Sequence, residues 1–159
     1  MATLTRLSKN WLTTSFSDFF ALFFPNVCLG CGDGLVKGED ILCTRCVSEL
    51  PMVDYFQADD NPLVNRFAGR VPVRYGWSLL KFQKAGIVQN LLHQLKYNNH
   101  PEIGDKLGKI LGLRFVTLGL QNEFDWLVPV PLHKNRRRTR GYNQSALIAK
   151  GLSEALGKP

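Results

Sequence analysis

The chain has 159 residues, 45% of them hydrophobic and 21% charged, a balance typical of globular proteins that excludes intrinsic disorder as the default state. The length allows one domain, or a small module followed by a larger one. The formal net charge of +7 is uneven, with a net −1 over residues 1–50 and a net +8 over residues 51–159, which predicts a local anion site rather than general attraction to polyanions.

The first predicted element is an amphipathic helix over residues 1–26. Its apolar side chains recur at helical spacing on one face: Leu12, Phe16, Phe19, Phe20 and Phe23. A secretion signal and a membrane span are disfavoured, because polar residues at 13–18 interrupt the stretch and no small-residue cleavage site follows. We expect this helix to dock on the protein or on a partner, and a membrane surface is the alternative.

Residues 27–51 form a predicted zinc-binding module. All four cysteines lie here as two CxxC pairs separated by 11 residues: Cys28, Cys31, Cys43 and Cys46. Two such turns facing each other supply four thiolates at tetrahedral positions with no open position, so the expected metal is structural Zn²⁺. Two disulfides, an iron–sulfur cluster and four metal-free buried thiols are the alternatives. A metal-binding thiolate cluster also predicts a reducing, cytoplasmic location.

The remaining elements alternate as expected of an α/β domain, placed at residues 66–159 after a linker-like stretch. Alternating side chains predict a strand over 71–82, and helical periodicity predicts helices over 84–96, 103–118 and 143–156. The apolar segment 125–131 predicts a strand buried on both faces of a parallel sheet. Because one such unit cannot cover both faces of a sheet, we expect the chain to be incomplete.

A strongly basic loop is predicted between the buried strand and the last helix. Five of the seven residues in Lys134–Arg140 are basic, and ligands of open α/β sheets bind beyond the carboxyl ends of strands. Arginine holds phosphate with two parallel hydrogen bonds, Gly141 allows close approach of the backbone, and Asn143 is expected to cap the helix. A phosphate site is the main interpretation; a solvated charged face and a nucleic-acid contact patch are the alternatives.

At these motifs the sequence resembles the ComF family of competence-associated, phosphoribosyltransferase-like proteins. The resemblance covers about residues 26–159 and rests on the two CxxC pairs, Leu50-Pro51, Leu95-Lys96-Tyr97 and, most specifically, the segments VPVPLH at 128–133 and RGYNQ at 140–144. It implies an α/β protein with a small N-terminal zinc-binding module followed by the N-terminal half of a type I phosphoribosyltransferase-like parallel-sheet domain. It also implies that a pyrophosphate-binding loop includes Arg136, Arg137, Arg140, Gly141, Tyr142, Asn143 and Gln144.

The ligand that the resemblance implies is phosphoribosyl pyrophosphate with Mg²⁺. The implied chemistry displaces pyrophosphate at a ribose carbon, with the metal and positive side chains stabilising the leaving group. Such folds also carry an acidic pair followed by Thr-Thr-Gly, which cradles the ribose 5-phosphate, whereas Asp59-Asp60 precede Asn61-Pro62 here. We therefore expect the chain to stop before this loop and to be inactive alone, and no catalytic residue is assigned.

Two non-enzymatic functions stay open beside this link to nucleotide metabolism or to DNA uptake in competence. One is a single-stranded DNA-binding or competence-machinery factor, in which the arginines contact the phosphate backbone. The other is a docking module that recruits a competence helicase or another partner through the zinc module and the N-terminal helix.

Overall fold

The computed structural model of the protein describes residues 26–53 and 61–159. This part of the chain contains six helices: α1 Thr44–Ser48, α2 Pro62–Asn65, α3 Ile87–Tyr97, α4 Glu102–Thr117, α5 Lys134–Arg140 and α6 Gln144–Leu156. The predicted N-terminal helix lies outside the described residues. The predicted domain boundaries stay predictions.

No strand is longer than an isolated bridge in residues 26–53 and 61–159. Antiparallel bridges join Val27 to Gly34 and Met52 to Leu80. The second bridge uses only the end of the strand predicted over 71–82, where the Lys81 N–H donates to the Pro51 carbonyl at 2.8 Å. The parallel sheet is therefore not formed by the described residues and stays a prediction.

Helix α3 has one buried and one exposed face, as its periodicity predicts. Val88, Leu91 and Leu95 face inward, and Leu91 is 0% exposed. These positions are three, four and seven residues apart, so they share one side of the helix. The prediction of a helix here is confirmed, and its outer face is left free to line surface grooves.

The cysteine module shares a hydrophobic core with α3 and α4. Buried cysteines pack in one cluster with apolar side chains from both parts: Cys28, Leu42, Cys43, Cys46, Leu50, Leu91, Leu95, Ile103 and Leu107. Two polar contacts fasten the same interface. Asn90 Nδ2 donates to the Gly30 carbonyl at 3.1 Å, and Lys106 Nζ lies 2.9 Å from Asp40 Oδ1. The cysteine module therefore packs directly against α3 and α4 and stabilises their position.

Helices α4 and α6 pack with their backbones in contact. Gly104, Gly108 and Gly112 recur every fourth residue and so form one face of α4. A Cβ atom at Gly108 would lie 2.1 Å from the Ile148 carbonyl oxygen, and one at Gly151 would lie 2.0 Å from the Asp105 carbonyl oxygen. Only glycine permits this separation. The two predicted helices are confirmed, and the glycine face lets α6 lie directly against α4.

The basic segment Lys134–Arg140 is helix α5, where the sequence indicates a loop. His133 caps its first turn, because Nδ1 accepts a hydrogen bond from the Asn135 N–H at 3.3 Å. Gly141, at φ 80°, ends it in the left-handed conformation that glycine adopts without strain. The prediction of a loop was wrong for this segment. The helix forms because lysine and arginine are good helix formers and both of its ends are capped.

The apolar segment over 125–131 lies on the surface of the described structure. Val128 is 86% exposed and Trp126 is 73% exposed. The Leu127 N–H donates to the Pro159 carbonyl at 2.9 Å, and the Val130 carbonyl accepts from Asn143 Nδ2 at 2.9 Å. The expected burial on both faces is not seen, because no other strand lies beside the segment in the described residues.

Candidate functional site

The four cysteine sulfurs converge on one point. All four Sγ atoms lie within 4.8 Å of one another, and those of Cys31 and Cys43 are 3.8 Å apart. A tetrahedron of sulfurs about a metal at ~2.3 Å has edges of about 3.8 Å. All four residues are free thiols. The cluster therefore has the size and the donor atoms to hold a metal ion such as zinc.

Backbone N–H groups point at these sulfurs and favour the thiolate form that binds metal. The Gly30 and Cys43 N–H groups donate to Cys28 Sγ at 3.4 and 3.3 Å. Burial raises the pKa of the Cys28 thiol, but hydrogen bonds from the backbone of Cys43, Cys31 and Gly30 outweigh it and lower the pKa to about 6. Burial raises the pKa of the Cys46 thiol instead, because a low-dielectric surrounding disfavours the charged form.

A carboxylate closes the loop that brings the two CxxC turns together. Glu39 accepts hydrogen bonds from the Val36 N–H at 3.0 Å and from the Thr44 N–H at 2.6 Å, and these bonds lower its pKa. Thr44 is the first residue of α1, so the carboxylate also satisfies a free donor at that helix end. A second contact joins the two CxxC turns. Arg45, within the second pair, and Asp33, two residues after the first pair, form an ion pair of 2.6 Å.

A basic cleft opens between the end of α3 and helix α5. Its volume is about 440 Å³, and it is lined by Lys96, Tyr97, Asn135, Arg136, Thr139 and Arg140. The guanidinium carbon of Arg140 lies 5.7 Å from the centre of the Tyr97 ring, within reach of a cation–π interaction. Among the residues that the structure describes, no acidic side chain lines the cleft, so the three cations meet no described carboxylate there. We call these residues the basic cleft.

Of the three arginines predicted to bind phosphate, two line the basic cleft and one does not. Arg136 and Arg140 are four residues apart, share one face of α5 and line the basic cleft. Arg137 is exposed and lies outside the lining of the cleft. Gly141 terminates the helix instead of approaching the cleft as a loop backbone.

Of the other three predicted residues, Tyr142 and Asn143 make hydrogen bonds within the protein. The Tyr142 hydroxyl donates to the Leu95 carbonyl at 2.6 Å, and burial raises its pKa, so it stays a neutral donor. Asn143 caps α6 by accepting from the Ser145 N–H at 3.1 Å, as predicted. Gln144 Nε2 is buried and has no hydrogen-bond partner within the described part of the chain. Tyr142 and Asn143 help to position the segment between α5 and α6. A role of the three residues in binding phosphate stays a prediction.

Lys96 and Tyr97 reach the site although the basic motif does not contain them. The segment Leu95-Lys96-Tyr97 is part of the family resemblance, which implies no role for it. They lie about 40 residues before α5, so no spacing rule joins them to the arginines. The usable signal is the helical period of α3, which places Tyr97 on its exposed face.

Comparison with known proteins gives a partial match. Over 70 residues the chain is 41% identical to the DNA utilization protein YhgH of Escherichia coli K12 and 40% identical to that of Shigella flexneri. The chain is similar to a DNA utilization protein. Each match covers 42% of this chain but only 30% of the relative. No protein-family model and no solved structure matches the chain.

Within residues 26–53 and 61–159, no helix is both long enough and apolar enough to span a bilayer.

Proposed function

We propose that the protein is a ComF-like, phosphoribosyltransferase-type protein that binds phosphoribosyl pyrophosphate in the basic cleft and serves the utilization of DNA. The observation that carries this proposal is the lining of the cleft: Lys96, Arg136 and Arg140 face one cavity of about 440 Å³, and no carboxylate is among its described lining residues. The link to DNA rests on the name of the relatives, which match under half of this chain.

Pyrophosphate suits this cleft for two reasons. Two guanidinium groups on one helix face can each hold a phosphate group through paired hydrogen bonds, while Lys96 adds a third charge from the opposite wall. Mg²⁺ would arrive with the pyrophosphate group of the ligand, because none of the described residues that line the cleft offers a carboxylate to hold the ion. Lys96, Arg136 and Arg140 would bind and orient the pyrophosphate group.

Structural Zn²⁺ at the four cysteines is part of this proposal. Four sulfurs within 4.8 Å of one another support it, as do backbone hydrogen bonds that favour thiolates. The ion would stabilise the module that packs against Leu91 and Leu95 of α3, and α3 carries one wall of the basic cleft. A reducing, cytoplasmic location would keep the thiolates available for the metal.

We also propose that the segment over 125–131 is a strand of the parallel sheet that a phosphoribosyltransferase-like domain requires. Its exposed apolar side chains support this, since a strand covered on both faces needs apolar residues on both. Transfer chemistry needs groups that hold the ribose 5-phosphate, so the test of the proposal measures binding and not turnover.

Calorimetric titration with phosphoribosyl pyrophosphate and with pyrophosphate, each with Mg²⁺, tests the proposal. Both ligands should bind the wild-type protein. The Arg136→Ala and Arg140→Ala variants should each bind at least tenfold more weakly, since a hydrogen bond to a charged group contributes about 1.5–3 kcal/mol.

Arg70→Ala is the matched control, because Arg70 is exposed and lines no described cavity. It should leave both affinities unchanged, and circular dichroism should show all three variants folded. Absence of binding by the wild-type protein, or equal affinities for the three variants, would overturn the proposal.

Single-stranded DNA is the second candidate ligand, held through its phosphates by the same cations. The observation that favours it is the relatives' name, together with the net +8 over residues 51–159. Affinity for an oligonucleotide should then fall steeply with salt, and neutralising Arg136 should reduce the slope of log affinity against log salt by about one. Binding that does not respond to salt would contradict this candidate.

A further inference from the structure

A second groove adjoins the basic cleft and is mainly apolar. Its volume is about 560 Å³, within the range of ~300–1,000 Å³ usual for ligand pockets. It is lined by Phe82, Lys84, Ala85, Gln89, Leu92, His93, Lys96 and Tyr97. Lys96 and Tyr97 also line the basic cleft, so the two cavities share a boundary. We call this second cavity the aromatic groove.

Three rings form the exposed surface of the aromatic groove. Phe82 is 57% exposed and Tyr97 is 68% exposed, although large aromatic side chains are usually buried unless they serve a contact. The His93 and Tyr97 rings, one helical turn apart on α3, lie 5.0 Å apart between centres. Flat π-surfaces exposed in one groove are suited to stacking against a planar ligand.

The loop that contains Phe82 and precedes α3 is hydrogen-bonded to the first turn of that helix. The Ala85 N–H donates to Gln89 Oε1 at 2.8 Å, and Ala85 adopts φ 58°, a conformation uncommon for a residue other than glycine. This hydrogen bond holds the loop before α3 against the first turn of the helix. The aromatic groove therefore has two walls, the loop before α3 and α3 itself.

The charges at the groove match one chemical class. Lys84 lines the groove and Lys96 lies at its boundary with the basic cleft, and no acidic side chain of residues 26–53 or 61–159 lines either cavity. A ligand that lies across the boundary therefore needs a planar apolar part and a phosphorylated part. We propose that the aromatic groove binds the base of a nucleotide whose phosphates occupy the basic cleft.

This inference rests on the proposed function for its phosphate half and adds the base. The base packs against Phe82 and Tyr97, and the phosphates lie on Lys96, Arg136 and Arg140. Stacking a base on an aromatic side chain contributes about 1–3 kcal/mol, or roughly 5- to 150-fold in affinity. The nucleotide can come from a free mononucleotide or from a single strand, and the experiment separates the two.

The test compares pyrophosphate with ADP, which adds a nucleoside to the same two phosphates, by calorimetry on the whole chain. ADP should bind at least fivefold more tightly than pyrophosphate. Phe82→Ala should bring the two affinities together while leaving that for pyrophosphate unchanged. Phe67→Ala is the matched control, because Phe67 is also exposed but lines neither cavity, and it should retain the difference.

A second pair of probes, a deoxythymidine oligonucleotide and an abasic oligonucleotide of the same length, distinguishes the source. Preference for the thymidine strand, lost in Phe82→Ala, would identify a single strand as the ligand. A preference shown only by ADP would identify a free nucleotide. If neither base-containing probe binds better than its base-free partner, the inference is overturned while the proposed function stands. If no phosphate ligand binds at all, the proposed function itself has failed.

Discussion

Replacing Gly108 by alanine tests the packing that positions α6. The new Cβ atom would lie 2.1 Å from the Ile148 carbonyl oxygen, whereas ordinary contact begins at 3.4 Å, a shortfall of 1.3 Å. The next nearest atom is also backbone, the Leu152 nitrogen at 2.9 Å. Because no side chain can rotate away, the two helices must move apart along this face.

The magnitude follows from two opposing effects. Overpacking a well-packed interface costs about 1–3 kcal/mol, and obstruction by backbone on both atoms places Gly108→Ala near the upper end. Replacing glycine by alanine inside a helix returns about 1 kcal/mol. The net loss in free energy of unfolding is therefore about 2 kcal/mol, which corresponds to a fall in Tm of roughly 4–8 °C for a chain of this length.

Thermal and urea unfolding followed by far-UV circular dichroism measure this loss. Gly112→Ala and Gly104→Ala should form a graded series with smaller effects, because their Cβ atoms would meet side chains at 2.5 and 2.8 Å. Gly34→Ala is the control: nothing lies within 4 Å of its Cβ position, so its effect should stay within about 0.5 kcal/mol. A Gly108→Ala protein as stable as the wild type would refute the close approach of α4 and α6.

Three further predictions concern the metal site and the contacts that support the cleft. Protein purified under reducing conditions should contain one zinc ion per chain by elemental analysis, and Cys46→Ser should lose it together with much of its thermal stability; metal-free, equally stable wild-type protein would contradict the site. Tyr142→Phe should lower the free energy of unfolding by about 1 kcal/mol in urea, because the Leu95 carbonyl loses its donor; no change would mean that water replaces the hydroxyl. The hydrogen bond from Lys106 lowers the pKa of Asp40, so the stabilisation from this pair is present above about pH 4 and is lost as pH falls through the lowered pKa. Asp40→Asn should therefore lose up to ~1 kcal/mol at pH 7 and differ less from wild type at pH 2–3; a difference that grows in acid would contradict the ion pair.

Local features of the fold could be predicted from the residues alone. The periodicity of Leu91 and Leu95 specifies α3 and its buried face, because helix geometry converts spacing directly into direction. Asn143 is the predicted cap of α6 and acts as one. The paired CxxC turns predict four sulfurs around one point, since each turn by its own geometry directs two thiolates to the same side.

The conformation of the basic segment, residues 134–140, could not be predicted from its charge and its neighbours in sequence. Its charge and the glycine after it indicate a loop, but the His133 cap and the favourable helix propensity of arginine produce α5. The helix then selects Arg136 and Arg140 for the basic cleft and turns Arg137 away from it. Sequence order alone could not divide these arginines, because the division depends on which face of α5 meets α3.

The sequence by itself therefore determined the cysteine cluster, the three longer helices and the presence of a cationic segment, since each depends on neighbours within a few residues. Only the tertiary structure decided that Tyr97 stands beside Arg140 and that the cysteine module supports the core of α3. It also decided that α4 and α6 meet at glycine. Those relations join residues tens of positions apart, and close packing between distant elements, not local spacing, determines which side chains share a cavity.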